Sequence, residues 1–190
     1  QTNLRATRTP MRRKPRTIEP NRIWGTDMTK VLLPTGWAYL HVVLDWGSKK
    51  LIGCTLSRRS RTDDWLDALQ QAVNGQFPAG IRETERPPSL VSDNGCQPTS
   101  AAYAKVCRQL GIGQIFASYN NPKGNADTER VMRTIKEDLI WPREYASFRE
   151  LETALAEWVH RYNHDYPHSA LGWATPYEYE TWFKAATRVA

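Results

Sequence analysis

Ile23-Trp24-Gly25-Thr26-Asp27-Met28-Thr29-Lys30-Val31 opens a series of three β-rich runs, continued by Trp37 to Asp45 and by Leu51 to Leu56. The joints between them, Leu33-Pro34-Thr35-Gly36 and Gly47-Ser48-Lys49-Lys50, are short and rich in turn residues, so the runs predict an antiparallel meander. Downstream, Trp65, Leu66, Leu69 and Val73 recur at helical spacing behind Asp63 and Asp64, which predicts a helix capped by Thr62. Ser89-Leu90-Val91-Ser92 then reads as a short buried strand. A Thr99-capped helix with Ala102, Val106 and Leu110 inward follows, and Ile112 to Phe116 reads as a fifth strand. The helical crossover makes strands four and five parallel.

A polar loop from Ala117 to Gly124 leads into a helix from about Asn125 to Ile140, with Met132, Ile135 and Leu139 as its apolar stripe. Asn125, Glu129, Arg133 and Lys136 share a neighbouring polar face. Ser147 with Glu150 forms a capping box for a last long helix that carries Phe148, Leu151, Leu155, Trp158, Val159 and Tyr162 on one side. The order, three antiparallel strands, a helix, then strand, helix, strand and further helices, is that of a ribonuclease-H-like fold. The expectation is an α/β domain over 22–186: a five-stranded mixed sheet, three strands antiparallel and two parallel, flanked by helices.

The first 22 residues hold Arg5, Arg8, Arg12, Arg13, Lys14, Arg16 and Arg22 against Glu19 alone, so they carry the whole formal charge of +6 and the rest of the chain is neutral. With Pro10, Pro15 and Pro20 interspersed, residues 1–21 read as an extended basic arm, either a solvated linker or a segment that follows nucleic-acid phosphates, for which Arg12, Arg13 and Lys14 are the candidates. No stretch is long and apolar enough to span a membrane, and Cys54, Cys96 and Cys107 form no CxxC pair, which together point to a soluble protein of a reducing cytoplasm.

Three acids stand out. Asp27 lies inside the first strand, where a carboxylate is unfavourable unless paired or metal-bound. Asp93 follows the short fourth strand, and Glu129 lies one turn into the helix after the polar loop. Each has a structural reading as well: a satisfied strand acid, an Asp-Asn-Gly turn, and a first-turn acid favoured by the helix dipole. Asp45, at the end of strand two, reads as structural. The histidines at 160, 164 and 168 keep a four-residue spacing, but Pro167 ends the helix before a third ligand could align. Trp158, Trp173 and Trp182 are expected to pack.

The ordered motifs decide between these readings. Trp24-Gly25-Thr26-Asp27-Met28-Thr29, Val43-Leu44-Asp45 with Ser48-Lys49-Lys50, and Ser92-Asp93-Asn94-Gly95 with Gln97 and Thr99-Ser100 are followed by Gly111-Ile112, Asn121-Pro122, Asn125-Ala126, Glu129 and Thr134-Ile135-Lys136-Glu137. Tyr162-Asn163, Pro167-His168-Ser169-Ala170-Leu171-Gly172 and Thr175-Pro176 complete the series, and 35 residues separate Asp93 from Glu129. The chain resembles the catalytic domain of insertion-sequence-3 group transposases, within the retroviral integrase superfamily, from roughly Arg22 to Glu180. It departs from that pattern at Cys96, Pro98, Lys123-Gly124 and Tyr166, positions that bear on substrate contact.

The resemblance implies a polynucleotidyl transferase with Asp27, Asp93 and Glu129 as catalytic metal ligands for Mg²⁺ or Mn²⁺, two ions with DNA bound. Lys123, Asn125, Arg133 and Lys136 would be DNA contacts. Its partners would be element ends and target DNA, met as a homo-oligomer in the bacterial cytoplasm at the nucleoid, with an N-terminal helix-turn-helix region outside these 190 residues. A ribonuclease-H-like nuclease and an inactive, domesticated DNA-binding relative are the alternatives.

Overall fold

In the computed structural model, which describes residues 17–117 and 122–189, the three expected hairpin strands are β1 (Ile23–Leu33), β2 (Gly36–Asp45) and β3 (Leu51–Ser57). β4 (Ser89–Ser92) and β5 (Gly113–Phe116) complete one five-stranded sheet in the order β3-β2-β1-β4-β5. β1 runs antiparallel to β2 from Trp24 opposite Asp45 to Leu33 opposite Gly36, and β2 runs antiparallel to β3. β4 lies parallel to both β1 and β5. This is the mixed sheet of a ribonuclease-H-like fold.

Alternation along β2 supplies both faces with a core, because successive side chains point to opposite sides. Leu40, Val42 and Leu44 join Val131, Ile135, Leu151 and Trp158, from α3 (Ala126–Ile135) and α4 (Phe148–Asp165), on one face. Val43 joins Trp24, Trp65, Leu69, Leu90 and Tyr103, with α1 (Thr62–Gln76) and α2 (Ala101–Gln109), on the other. α3 continues as one π-helical segment, Lys136–Ile140, and Met132, Ile135 and Leu139 are buried as their spacing requires.

Several local expectations need correction. Thr62 is the first residue of α1 rather than its cap; Arg61 precedes it and gives its backbone N–H to Asp64 at 2.7 Å. Ser100, not Thr99, caps α2, whose buried residues are Tyr103, Ala104 and Cys107; Leu110, just past its end, packs against the same core as expected, whereas Ala102 is exposed and Val106 half-buried. Trp158 packs, but Trp173 and Trp182 are 72% and 60% exposed, on the far side of Gly172 and on the outer face of α5 (Pro176–Val189). Thr17 to Asn21, read from sequence as linker, lies against the domain: Tyr179 donates to the Ile18 carbonyl at 2.8 Å, and Asn21 N–H donates to Asp45 at 3.0 Å. Among the described residues no helix is long and apolar enough to cross a membrane, and the three cysteines are free.

Buried polar groups tie the layers together. Asp45 accepts from the backbone of Asn21, Gly47 and Ser48 and from the Ser48 hydroxyl, so it organises the turn after β2. Asn163 on α4 closes the outer edge of β3, donating to the Leu51 carbonyl and accepting from its N–H, both at 2.9 Å, as a further strand would. Glu180 on α5 is buried between Lys50 at 2.5 Å and Lys184 at 2.9 Å, which anchors the last helix to the β2–β3 turn.

α3 sits closer to β1 than a side chain would allow. A β-carbon on Gly25 would overlap the Thr128 hydroxyl and the Trp46 indole nitrogen, which are bonded to each other at 3.0 Å. One turn earlier, the Asn125 amide donates to the Thr26 carbonyl at 3.3 Å. Gly25→Ala is therefore expected to destabilise the domain by at least about 2 kcal/mol, the upper part of the range for overpacking a rigid contact. In a thermal melt that is a drop of roughly 4–8 °C for a chain of this size; a melt unchanged within a degree would show that α3 can back away from β1.

Candidate active site

Gly25 and Asp27 share one face of β1, because side chains alternate along a strand, and Gly25 marks that face as the one α3 covers. Trp24 and Met28 belong to the opposite core. Asp27 is half-buried, and its carboxylate accepts only the Met28 backbone N–H, at 2.8 Å, among its described hydrogen bonds. Its pKa is pushed up to about 6, first by burial and then by the negative charges of Asp93 and Glu129, against the Met28 N–H and the positive charge of Lys136. Asp93, Glu129 and Lys136 therefore all lie within electrostatic reach of Asp27.

Asp93 is exposed and follows β4 directly. The parallel register pairs Gly25 with Val91, so Asp27 and Asp93 each stand two residues beyond one matched pair on adjacent strands. The turn reading of Asp93 also holds: its Oδ1 accepts from Gly95 N–H at 2.9 Å, while Asn94 donates to the Ala117 carbonyl at 2.6 Å and the Thr99 hydroxyl to the Gly95 carbonyl at 2.8 Å. One carboxylate can shape the turn and still present its second oxygen to solvent.

Glu129 is exposed and follows Thr128, the residue that locks α3 to Trp46 and Gly25. It does not pair with Arg133, whose guanidinium takes Glu137 at 2.7 Å instead. Among the described residues no three His, Cys, Asp or Glu side chains converge closely enough to hold an ion as they stand. The three carboxylates are one half-buried and fixed by a strand and two exposed, all of hard oxygen character. Hard oxygen donors of this kind are those a divalent ion takes, and a cation among them would relieve the like-charge contribution to the raised pKa of Asp27.

The other candidates divide. Lys136 is half-buried and its charge reaches Asp27; Arg133 is exposed. Asn125, expected as a DNA contact, is buried with its amide on the β1 backbone. The Lys123 side chain and Arg12, Arg13 and Lys14 lie outside the described residues. His160 and His164 stack on each other at 4.2 Å, and His168 stands edge-on to Tyr162. Thr128 and Trp46 escaped the sequence reading. The available signal was Gly25, since a lone glycine inside a strand marks close approach of another segment.

With this geometry in place, comparison with known proteins is informative. Residues 18–122 match the family described as integrase core domain, and residues 110–176 match a second family of the same description. The chain is 29% identical over 164 residues to the transposase for insertion sequence element IS904 of Lactococcus lactis, covering 85% of this chain and 62% of that protein. To the transposase for insertion sequence element IS629 of Shigella sonnei it is 28% identical over 167 residues, covering 88% and 54%. The chain thus spans little more than half the length of these relatives. The HTLV-2 integrase catalytic core domain in complex with magnesium superposes with a TM-score of 0.65 at 19% identity, covering 87% of this chain and 99% of that one. A chain of the simian T-cell lymphotropic virus intasome superposes with a TM-score of 0.66 at 21% identity, covering 90% and 58%. At these identities the superpositions establish the shared fold, and the match over more than half of the sequence establishes kinship: the chain belongs to the integrase core domain family.

Proposed function

We propose that this chain is the catalytic core of a DNA transposase, which cuts DNA strands and joins 3′-hydroxyl ends at one centre formed by Asp27, Asp93 and Glu129. The observation that carries the reading is the state of Asp27, a half-buried carboxylate on a central strand, raised to about 6 by burial and by two further acids drawn from separate elements. Such an arrangement detracts from the stability of the protein alone, and its use lies in what it binds.

The donor set suits Mg²⁺ or Mn²⁺, two ions with DNA present, held by Asp27, Asp93 and Glu129. Bound there, divalent ions supply charge stabilisation at phosphate oxygens and make a water or a 3′-hydroxyl a better nucleophile. The protein's own groups divide the remaining work. Asp27, fixed in the strand, sets the position of the centre, while Asp93 and Glu129, both exposed, close around it. Lys136 would meet phosphate beside the scissile bond, and Arg133 would exchange Glu137 for phosphate on the outer side of α3. Lys123 and the arm of residues 1–21, with Arg12, Arg13 and Lys14, would follow the duplex backbone away from the core at 22–186. The longer relatives leave room for an N-terminal helix-turn-helix region to recognise element ends, with the core working as a homo-oligomer on DNA at the bacterial nucleoid.

Two tests follow. On a branched DNA substrate with Mn²⁺, Asp93→Asn and Glu129→Gln are expected to lose strand transfer by more than about 100-fold, beyond the 10–100-fold of an outer-sphere change. Full activity in Glu129→Gln would sink the catalytic assignment, and cleavage without joining would favour a nuclease. The second test reads stability. An acid whose pKa is higher folded than unfolded favours the fold fully below its unfolded value, and that contribution is lost as pH rises through about 6. Asp27→Asn should therefore raise the melting temperature of the metal-free chain at pH 7.5, by on the order of 2 kcal/mol or roughly 4–8 °C. It should also abolish the rise that Mn²⁺ gives the parent protein. A variant that melts lower than the parent at that pH would mark Asp27 as a structural acid.

A further inference from the structure

Glu129 and Arg130 are consecutive on α3, roughly 100° apart around the helix. On the flank that Arg130 faces lies an open cavity of about 270 Å³, bounded by α3, the turn after β2 and the loop from α4 to α5. Its floor is apolar, with Leu44, Val131 and Tyr162. Its rim is aromatic and basic. Tyr166 and Trp173 are exposed, and the Arg130 guanidinium has no ion pair among the described residues. Lys49 contributes a second cation, with its ammonium on the Trp46 carbonyl at 2.7 Å and 3.5 Å from Asp127.

The backbone around this cavity is unusual. Three non-glycine residues among those described have left-handed backbones, and two of them, Lys49 (φ 60°) and Trp173 (φ 70°), line it. A bulky side chain is rarely found in that region, and such outliers gather at binding sites. The His168 carbonyl accepts both Leu171 N–H and Trp173 N–H at 2.9 Å, which fixes the loop with the indole outside the core. At 72% exposure that indole contributes little to packing, so the strained conformation is not explained by the fold.

We propose that this cavity receives an unpaired nucleotide of the DNA strand held at the acidic centre, its base stacked on Trp173 and Tyr166 and its phosphate facing Arg130 and Lys49. The inference rests on the DNA reading above. Asp127 offsets Lys49, and Arg130 leaves the rim with one net positive charge, which suits an anion. The two flat faces suit a base of any identity, the combination by which proteins hold single strands without reading their sequence. A strand leaving Glu129 around the Arg130 side of α3 would pass directly over it.

The test measures fluorescence anisotropy of the full chain with a short labelled oligonucleotide, single-stranded and as a duplex of the same sequence, beside thermal melts. Trp173→Gly removes the indole and relaxes the left-handed backbone, so it should melt at or above the parent temperature. It should bind the single strand about tenfold more weakly, within the range for loss of one stacked base, and the duplex within about twofold of the parent. Arg130→Gln should weaken single-strand binding and lower its salt slope by about 1. Unchanged single-strand affinity in Trp173→Gly, while the parent still transfers strands, overturns this inference alone. A lower melting temperature with equal loss on both DNA forms makes Trp173 a packing residue and also overturns it. A polyglutamate peptide competing as well as the oligonucleotide would reduce the site to a simple anion patch and remove the stacking. If the parent chain binds neither DNA form, this inference and the transposase reading fall together.

Discussion

The absence of a side chain at Gly25 is the constraint on which the rest of the site depends. It lets α3 approach the second residue pair of β1 closely enough for the Trp46 indole to reach the Thr128 hydroxyl and for Asn125 to reach the Thr26 carbonyl. Thr26 is itself tied to β2 through its hydroxyl on the Val42 carbonyl at 2.9 Å. Each link is a modest hydrogen bond, but all are buried, and a buried donor or acceptor that loses its partner is costly. Together they fix the rotation of α3 about its axis, and that rotation decides where Glu129 emerges relative to Asp27.

Two strand acids show how environment separates a satisfied carboxylate from an unsatisfied one. Asp45 is almost fully buried yet receives four hydrogen bonds, which offset much of its desolvation and make it the organiser of a turn. Asp27 is less buried, receives one described hydrogen bond, and faces two further negative charges. A fold that needed Asp27 only for stability would surround it with donors, as it does Asp45. What surrounds it instead is charge of the same sign and a lysine, an unsatisfied environment that the proposed cation would complete.

Much of the fold was legible because its signals are local. Alternation in Ile23 to Val31, short turn-bearing joints and the helical crossover before Ile112 are sufficient to write the sheet, and strand ends moved by only a residue or two. Helix starts were less legible: Thr62 and Thr99 looked like caps by residue type, but Arg61 and Ser100 hold those places, because a cap is defined by backbone conformation and several neighbouring residues can offer an oxygen. The acids were legible as a spaced set. What fixes them was not, since the Gly25, Trp46 and Thr128 contact depends on a hydrogen bond between residues 82 positions apart. Asn163 closing the β3 edge and Glu180 between two lysines are long-range in the same way, and no pattern within α4 or α5 announces them.

The exposed tryptophans carry the comparison a step further. Hydrophobic spacing placed Trp158 correctly because it lies in a long helix whose face is set by period, with Leu151 and Leu155 a turn or two before it. Trp173 lies beyond Pro167 and Gly172, where period no longer constrains direction and the backbone turns left-handed. Composition alone would bury it. The chain instead keeps a large apolar ring in water at a conformation that a smaller residue would adopt more easily, beside Arg130, one residue from Glu129. Burial explains neither its position nor its backbone, whereas the proposed stacking of a nucleotide whose phosphate meets Arg130 would account for both.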